Sequence, residues 1–184
     1  MIQLPNLVFI GFRGTGKTTL SCYLAQQCGI HRCSTDELIV QQQGMSIAQL
    51  VAQYGWEEFR RLERLCIHKL VQQCGHIIDC GGGVVEDEGN MRLLRQNGKI
   101  IWIHAHLDDI LQRLMTYDND NQRPLLNTRL SRYEDIVQNY TRRLPLYERY
   151  AEYTVNTSHM SLEEACHHLM LYAREVLSQS SMSP

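Results

Sequence analysis

A doubly wound α/β fold, a five-stranded parallel sheet covered by helices on both faces, is predicted by three observations. Short apolar runs, partly β-branched, recur at 7–10, 76–80, 99–104 and 153–156, with a further short strand ahead of Asp36. Longer segments with apolar residues at helical spacing separate them: 17–28, 45–54, 56–73, 88–96, 107–115, 129–150 and 161–177. Strands that alternate with helices build parallel sheets buried on both faces. The 184 residues are read as one domain, 1–184, large enough to hold a core without metal or disulfide staples.

Each element has its own signal. The first run, Leu7 to Ile10, ends at Gly11, and Leu20, Tyr23 and Leu24 mark the inner face of the helix that follows, so the chain opens as strand, glycine-rich turn, helix. In 56–73, Phe59, Leu62, Cys66 and Leu70 form one stripe, with Arg60, Arg61, Glu63 and Arg64 on other faces. The stretch 117–128 (YDNDNQRPLLNT) has no periodicity and lies between two helices, which suits either a flap or an ordinary surface loop.

Composition excludes several classes. Eighteen Lys and Arg against twenty Asp and Glu give a net charge of −2, and the basic residues are scattered, so neither nucleic acid nor an anionic membrane is the expected partner. No run approaches a bilayer span, and the N-terminal MIQLPNLVFIG reads as a strand and not as an export signal. Seven cysteines (Cys22, Cys28, Cys33, Cys66, Cys74, Cys80, Cys166) with no C-x-x-C spacing read as buried free thiols in a reducing, cytoplasmic setting. A metal knuckle from Cys28, His31 and Cys33 would lack a second pair of ligands.

Gly11-Phe12-Arg13-Gly14-Thr15-Gly16-Lys17-Thr18 fits G-x-x-x-x-G-K-[ST] in the place its mechanism needs, after a buried strand and opening a helix. Glycines let backbone N–H groups converge on a phosphate, and the helix N-terminus adds partial positive charge. Gly14, Thr15, Gly16, Lys17, Thr18 and Thr19 are the candidate nucleotide contacts. Lys17 reaches the β and γ phosphates, and the Thr18 hydroxyl is placed to ligate Mg²⁺.

A second polar set falls at the carboxyl ends of the strands, where open α/β sheets bind ligands. It comprises Asp36 and the run Asp79-Cys80-Gly81-Gly82-Gly83. Three successive glycines are costly in chain entropy and mark a close approach to backbone, or else a plain turn. Arg60, Arg123 and Arg143 suit carboxylate or phosphate recognition.

Together these residues resemble the shikimate kinases from the first strand to about Thr157. The matching motifs are GFRGTGKTT (11–19), Thr35-Asp36, Phe59-Arg60-x-x-Glu63, Gly81-Gly82-Gly83, Arg123-Pro124-Leu125-Leu126 and Arg143-x-Pro145-Leu146-Tyr147. The resemblance implies a P-loop fold of the nucleoside-monophosphate-kinase type with a mobile lid over about 116–128. It implies ATP as phosphoryl donor with Mg²⁺, and shikimate as the small-molecule acceptor, phosphorylated on its 3-hydroxyl in chorismate biosynthesis. It also implies that Arg60 and Arg143 hold the acceptor carboxylate, that the backbone of Gly81, Gly82 and Gly83 approaches the acceptor, and that Glu63 fixes Arg60. Asp36 would bind the ring hydroxyls and activate the attacking one, and Arg123 would close over ATP as a catalytic arginine beside Lys17. A monomer is expected.

The chain departs from the family's pattern at two places. D-T-D is replaced by Ser34-Thr35-Asp36, while Asp79 stands where a serine is common, which suggests that the metal's carboxylate has moved to Asp79; a strand-end capping role is the alternative. Thr116 stands where an adenine-stacking arginine is often found, and Thr157-Ser158-His159 replaces a basic residue after the last strand, leaving base recognition to backbone or His159. Another small-molecule kinase for gluconate or a nucleotide, and a nucleotide-binding regulatory module without turnover, are the rival readings; intact Lys17, Asp36 and Arg123 argue against the latter.

Overall fold

The computed structural model describes residues 4–116, 124–127 and 129–181, the side chains of 179–181 excepted. Strands β1 (Asn6–Ile10), β2 (Arg32–Ser34), β3 (Ile77–Asp79), β4 (Gly98–His104) and β5 (Tyr153–Asn156) form one sheet in the order β2-β3-β1-β4-β5. Every pairing is parallel. Helices α1 (Lys17–Cys28), α2 (Thr35–Gln43), α3 (Ile47–Leu70), α4 (Glu88–Gln96), α5 (Leu107–Thr116), α6 (Arg132–Tyr150) and α7 (Leu162–Ser181) connect and flank the strands.

Alternation along the strands divides the core into two layers. Leu7, Phe9, Ile77, Ile101 and Ile103 pack with Leu20 and Leu24 of α1 and with Ala165, Leu169 and Ala173 of α7. Val8, Ile10, Ile78, Ile100 and Trp102 face the other way, onto Leu62, Cys66 and Ile67 of α3, Met91 and Leu94 of α4, and Tyr140 and Tyr147 of α6. Both faces of β1 are therefore apolar, which is why its run is continuous.

Most expected elements stand where the sequence put them, and α1, α4 and β5 share the expected bounds. Helix α6 starts at Arg132, three residues later than its apolar pattern suggests, because Ser131 and Glu134 form a reciprocal capping box. The two segments 45–54 and 56–73 are one helix, α3, bent at Gly55 (φ 80°) and ending at Leu70. Helix α2 was not foreseen; Ser34 caps it by accepting from the Glu37 N–H at 3.3 Å. Glu63, read as lying off the apolar stripe with the other charges, is fully buried.

Of the expected lid, residues 117–123 and 128 lie outside the described residues, and Arg123 is among them. No helix among the described residues is long and apolar enough to cross a membrane. Cys33 lies against His31 and Cys28 against Met170.

Candidate active site

The carboxyl end of β1 passes into the glycine-rich loop through Gly11, where a side chain would collide with the Ile103 carbonyl of β4. Gly14 (φ 79°) and Gly16 (φ 88°) take left-handed conformations that favour glycine, and Gly16 is the residue from which α1 starts. Thr15 Oγ1 donates to the Phe12 carbonyl at 2.8 Å, and Lys17 Nζ donates to the same carbonyl at 3.2 Å, so the loop closes on itself around its lysine. Gly14, Thr15, Gly16, Thr18 and Thr19 line one groove with Arg113, Leu114, Thr157 and Met160.

One helical turn before Thr116 in α5 stands Arg113, which lines the same groove. Arg113 donates through Nη1 to the Gly14 carbonyl (3.1 Å) and Thr157 Oγ1 (3.0 Å), and through Nη2 to the Thr157 carbonyl (2.8 Å). Its guanidinium thus ties the phosphate loop to the end of β5. His159 pairs with His106, their Nε2 atoms 3.0 Å apart, and neither lines the groove along Gly14 to Thr19.

A second cavity opens on the other side of the phosphate loop. Asp36, Arg60, Gly81, Gly82, Gly83 and Arg143 all line it, while Asp79 lies outside its lining and Arg123 outside the described residues. Phe12, Arg13 and Phe59, which stood in the quoted motifs without a site role, also line it, as do Trp56, Asp135 and Asn139, which were not singled out. The aromatic residues could have been found from their places beside Gly11 and Arg60; Asp135 and Asn139 had no such signal.

The triple glycine has a specific reason. None of the three has a positive φ, so a tight turn is not what demands them. A Cβ on Gly81 would sit 2.6 Å from Asp36 Oδ1, and one on Gly83 would sit 2.6 Å from Arg60 Cζ. The charged side chains of the cavity lie directly on this backbone. Thr35 Oγ1 accepts from the Gly81 N–H at 2.9 Å, and the Tyr147 hydroxyl donates to the Gly82 carbonyl, which fixes the loop from both sides.

Charge in the cavity is paired through buried contacts. Arg60 Nη1 bonds Glu63 Oε2 at 2.6 Å, and its guanidinium lies over the rings of Phe59 (5.3 Å) and Trp56 (5.8 Å). Burial pushes the Glu63 carboxyl up and the Arg60 guanidinium pulls it back. Arg143 lies over Phe12 and bonds Glu86 Oε2 at 2.9 Å; its Nε is buried with no hydrogen-bond partner. A donor left unmet in a buried guanidinium is available to a ligand.

Ser34 and Asp79 are direct partners in the β2–β3 register, so the acid at Asp79 is carried on the strand beside the position where the family has one. Asp79 does not cap backbone: its Oδ2 accepts from Arg32 Nη2 at 2.7 Å and from Ser21 Oγ at 3.1 Å. Ser21 Oγ also lies 3.1 Å from the Thr18 carbonyl, which links Asp79 to the first turn of the helix that follows the phosphate loop. Asp79 and Glu37 together hold Arg32 firmly charged against the cost of its burial.

The shikimate kinase family model matches residues 13–173. A shikimate kinase of Dehalococcoides mccartyi is 35% identical over 170 residues, covering 92% of this chain and 94% of that protein. One of Xylella fastidiosa is 35% identical over 171 residues, 93% of each. The solved structure of the Acinetobacter baumannii shikimate kinase in complex with shikimate superposes with a TM-score of 0.82 at 25% identity, over 99% of this chain and 97% of that one. A phosphate loop on β1, a carboxylate and paired arginines over a triple glycine, and these matches lead to one conclusion: the chain belongs to the shikimate kinase family, ATP-dependent kinases that phosphorylate a hydroxyl of shikimate.

Proposed function

We propose that the two cavities divide the reaction of this kinase, with ATP seated on Gly14 to Thr19 and shikimate held between Asp36, Arg60 and Arg143. The observation that carries this reading is contiguity. Phe12 and Arg13 belong to the phosphate loop and also line the acceptor cavity, so the γ-phosphate and the acceptor hydroxyl meet at one wall. Arg60 and Arg143 take the acceptor carboxylate, with Glu63 holding Arg60 in place. Asp36 orients the 3-hydroxyl and takes its proton as the oxygen attacks the γ-phosphorus and the β–γ bridging oxygen leaves with ADP. Lys17 follows the β and γ phosphates, and Arg123 completes the charge on the transferring group from the lid.

Among the described residues no group of three or more His, Cys, Asp or Glu side chains is arranged to hold a metal ion. Mg²⁺ binds through one or two protein oxygens plus nucleotide phosphates, and Thr18, with Asp79 joined to it through Ser21, offers oxygens of that kind beside the phosphate loop. Thr18 would hold it, with Asp79 acting through water because one of its oxygens is taken by Arg32 and Ser21. When bound, the ion neutralises charge on the phosphates.

Coupled ADP release, measured with and without shikimate, tests the activity; release independent of shikimate would overturn it. In the same assay Arg123→Ala is expected to lower kcat more than it changes either substrate's Kd. An unchanged kcat with a raised ATP KM would make Arg123 a nucleotide clamp. For the metal, Asp79→Ser is expected to raise the Mg²⁺ requirement and depress kcat, and adding Ser34→Asp should recover much of the loss, since the two positions face each other across β2 and β3. A double variant no better than Asp79→Ser alone would show that they do not share a metal.

A further inference from the structure

Glu86 ends the single 3₁₀ turn Val84–Glu86 that follows the triple glycine, and it touches three arginines at once. Its Oε2 lies 2.9 Å from Arg143 Nη2 and 3.7 Å from Arg60 Nη2, while its Oε1 lies 2.6 Å from Arg142 Nη2. Arg60 and Arg143 line the acceptor cavity. Arg142 has 57% of its side chain exposed, against 8% for Arg143.

We propose that Glu86 is an internal stand-in for the acceptor carboxylate, occupying the Arg60–Arg143 pair in the empty enzyme and swinging out toward Arg142 when shikimate binds. This rests on the reading that Arg60 and Arg143 hold that carboxylate.

The chemistry and the charge balance support it. One oxygen shared between two guanidinium groups is the arrangement a ligand carboxylate would adopt there. Arg60 is already matched by Glu63 at 2.6 Å, so Arg143 is the net positive charge of the inner pair, and Glu86 cancels it. An incoming carboxylate therefore meets a neutral site unless Glu86 leaves. Glu86 is free to do so, because its side chain is 24% exposed and its other oxygen is already bound on the solvent side by Arg142. Rotation about that outer contact withdraws Oε2 from the cavity while the carboxylate keeps a cationic partner. Glu86 thus lowers acceptor affinity but spares the enzyme a buried, unmatched Arg143 guanidinium when the site is empty.

The test is shikimate affinity without nucleotide, read from the fluorescence of Trp56, which lines the cavity, with the uncharged methyl ester of shikimate as the comparison ligand. Glu86→Gln, nearly the same shape, is expected to tighten shikimate roughly three- to tenfold and leave the ester unchanged. Arg142→Ala is expected to weaken shikimate in the parent enzyme and to have no effect in the Glu86→Gln background. Equal or weaker shikimate binding by Glu86→Gln would overturn the proposal and make Glu86 a strut for the arginines. An equal shift for acid and ester would overturn it as well. Arg143→Ala separates the two levels. If it leaves shikimate affinity intact, the assignment of the arginines has failed; if it weakens affinity while Glu86→Gln does not strengthen it, only the stand-in has failed.

Discussion

Asp36→Asn is expected to lower kcat by about 10²–10⁴-fold, the range for removing a positioned proton acceptor, with little change in the ATP Kd. Asp36 sits in the first turn of α2, and its Oδ1 lies against Gly81, on the acceptor side of the phosphate loop. Asparagine keeps the shape and can still bond a ring hydroxyl, but it carries no charge and takes no proton. The loss should therefore fall on the chemical step more than on binding. Single-turnover phosphoryl transfer at saturating shikimate is the measurement, and a rate near that of the parent enzyme would remove Asp36 from the chemistry and leave it as a hydroxyl contact.

Arg143→Ala is expected to raise the shikimate Kd by roughly 30- to 1,000-fold, the equivalent of about 2–4 kcal/mol for truncating one partner of a buried charge pair. Arg60→Ala should do the same with a smaller effect, because its guanidinium is already matched by Glu63 and is more exposed than that of Arg143. Neither change should alter the ATP Kd, since neither residue lines the groove along Gly14 to Thr19. Titration of each ligand separately checks both statements. Weakened nucleotide binding with normal shikimate binding would reverse the assignment of the two cavities.

Four of the strands were legible because each is an apolar run closed by glycine or a polar residue, and both faces of the sheet are covered, so no alternation hid them; β2, Arg32-Cys33-Ser34, has no such run and was placed only by its position ahead of Asp36. Helix α2 was not. It is nine residues long, buries only Thr35 and Ile39, and ends in three glutamines, which leaves no apolar stripe to count. Its start was read as a motif, yet the serine that replaces an acid is also a good helix cap. At the site, the residues with a motif were found, and of their partners only Glu63 was named in advance. Arg32 reaches Asp79 only through the pairing of β2 with β3, and Arg113 reaches Thr157 only through the placement of α5 beside β5. Helical periodicity set Glu63 among the charges off the apolar stripe, while the resemblance paired it with Arg60; the 2.6 Å ion pair agrees with that pairing, and only its full burial was not legible, because periodicity does not record ion pairs. Glu86 carried no signal, being the first of three successive acids, Glu86-Asp87-Glu88, with nothing to single it out.

Trp56 Nε1 donates to the Leu125 carbonyl at 3.2 Å, and the Asn127 N–H donates to Asp135 Oδ1 at 3.0 Å. Trp56 and Asp135 both line the acceptor cavity, so the segment that follows Arg123 is fastened to the walls of the pocket on the far side of the phosphate loop. Two ligands that each pull on one mechanical connection cannot bind independently. Whatever factor bound shikimate applies to the affinity for ATP, ATP must return to shikimate in the same measure, because the free energy of the doubly occupied enzyme does not depend on the order of arrival. If the lid proposed above closes over ATP, the order in which substrates bind is a matter of concentrations and rates, and the Trp56–Leu125 hydrogen bond would be one link that transmits that mutual factor.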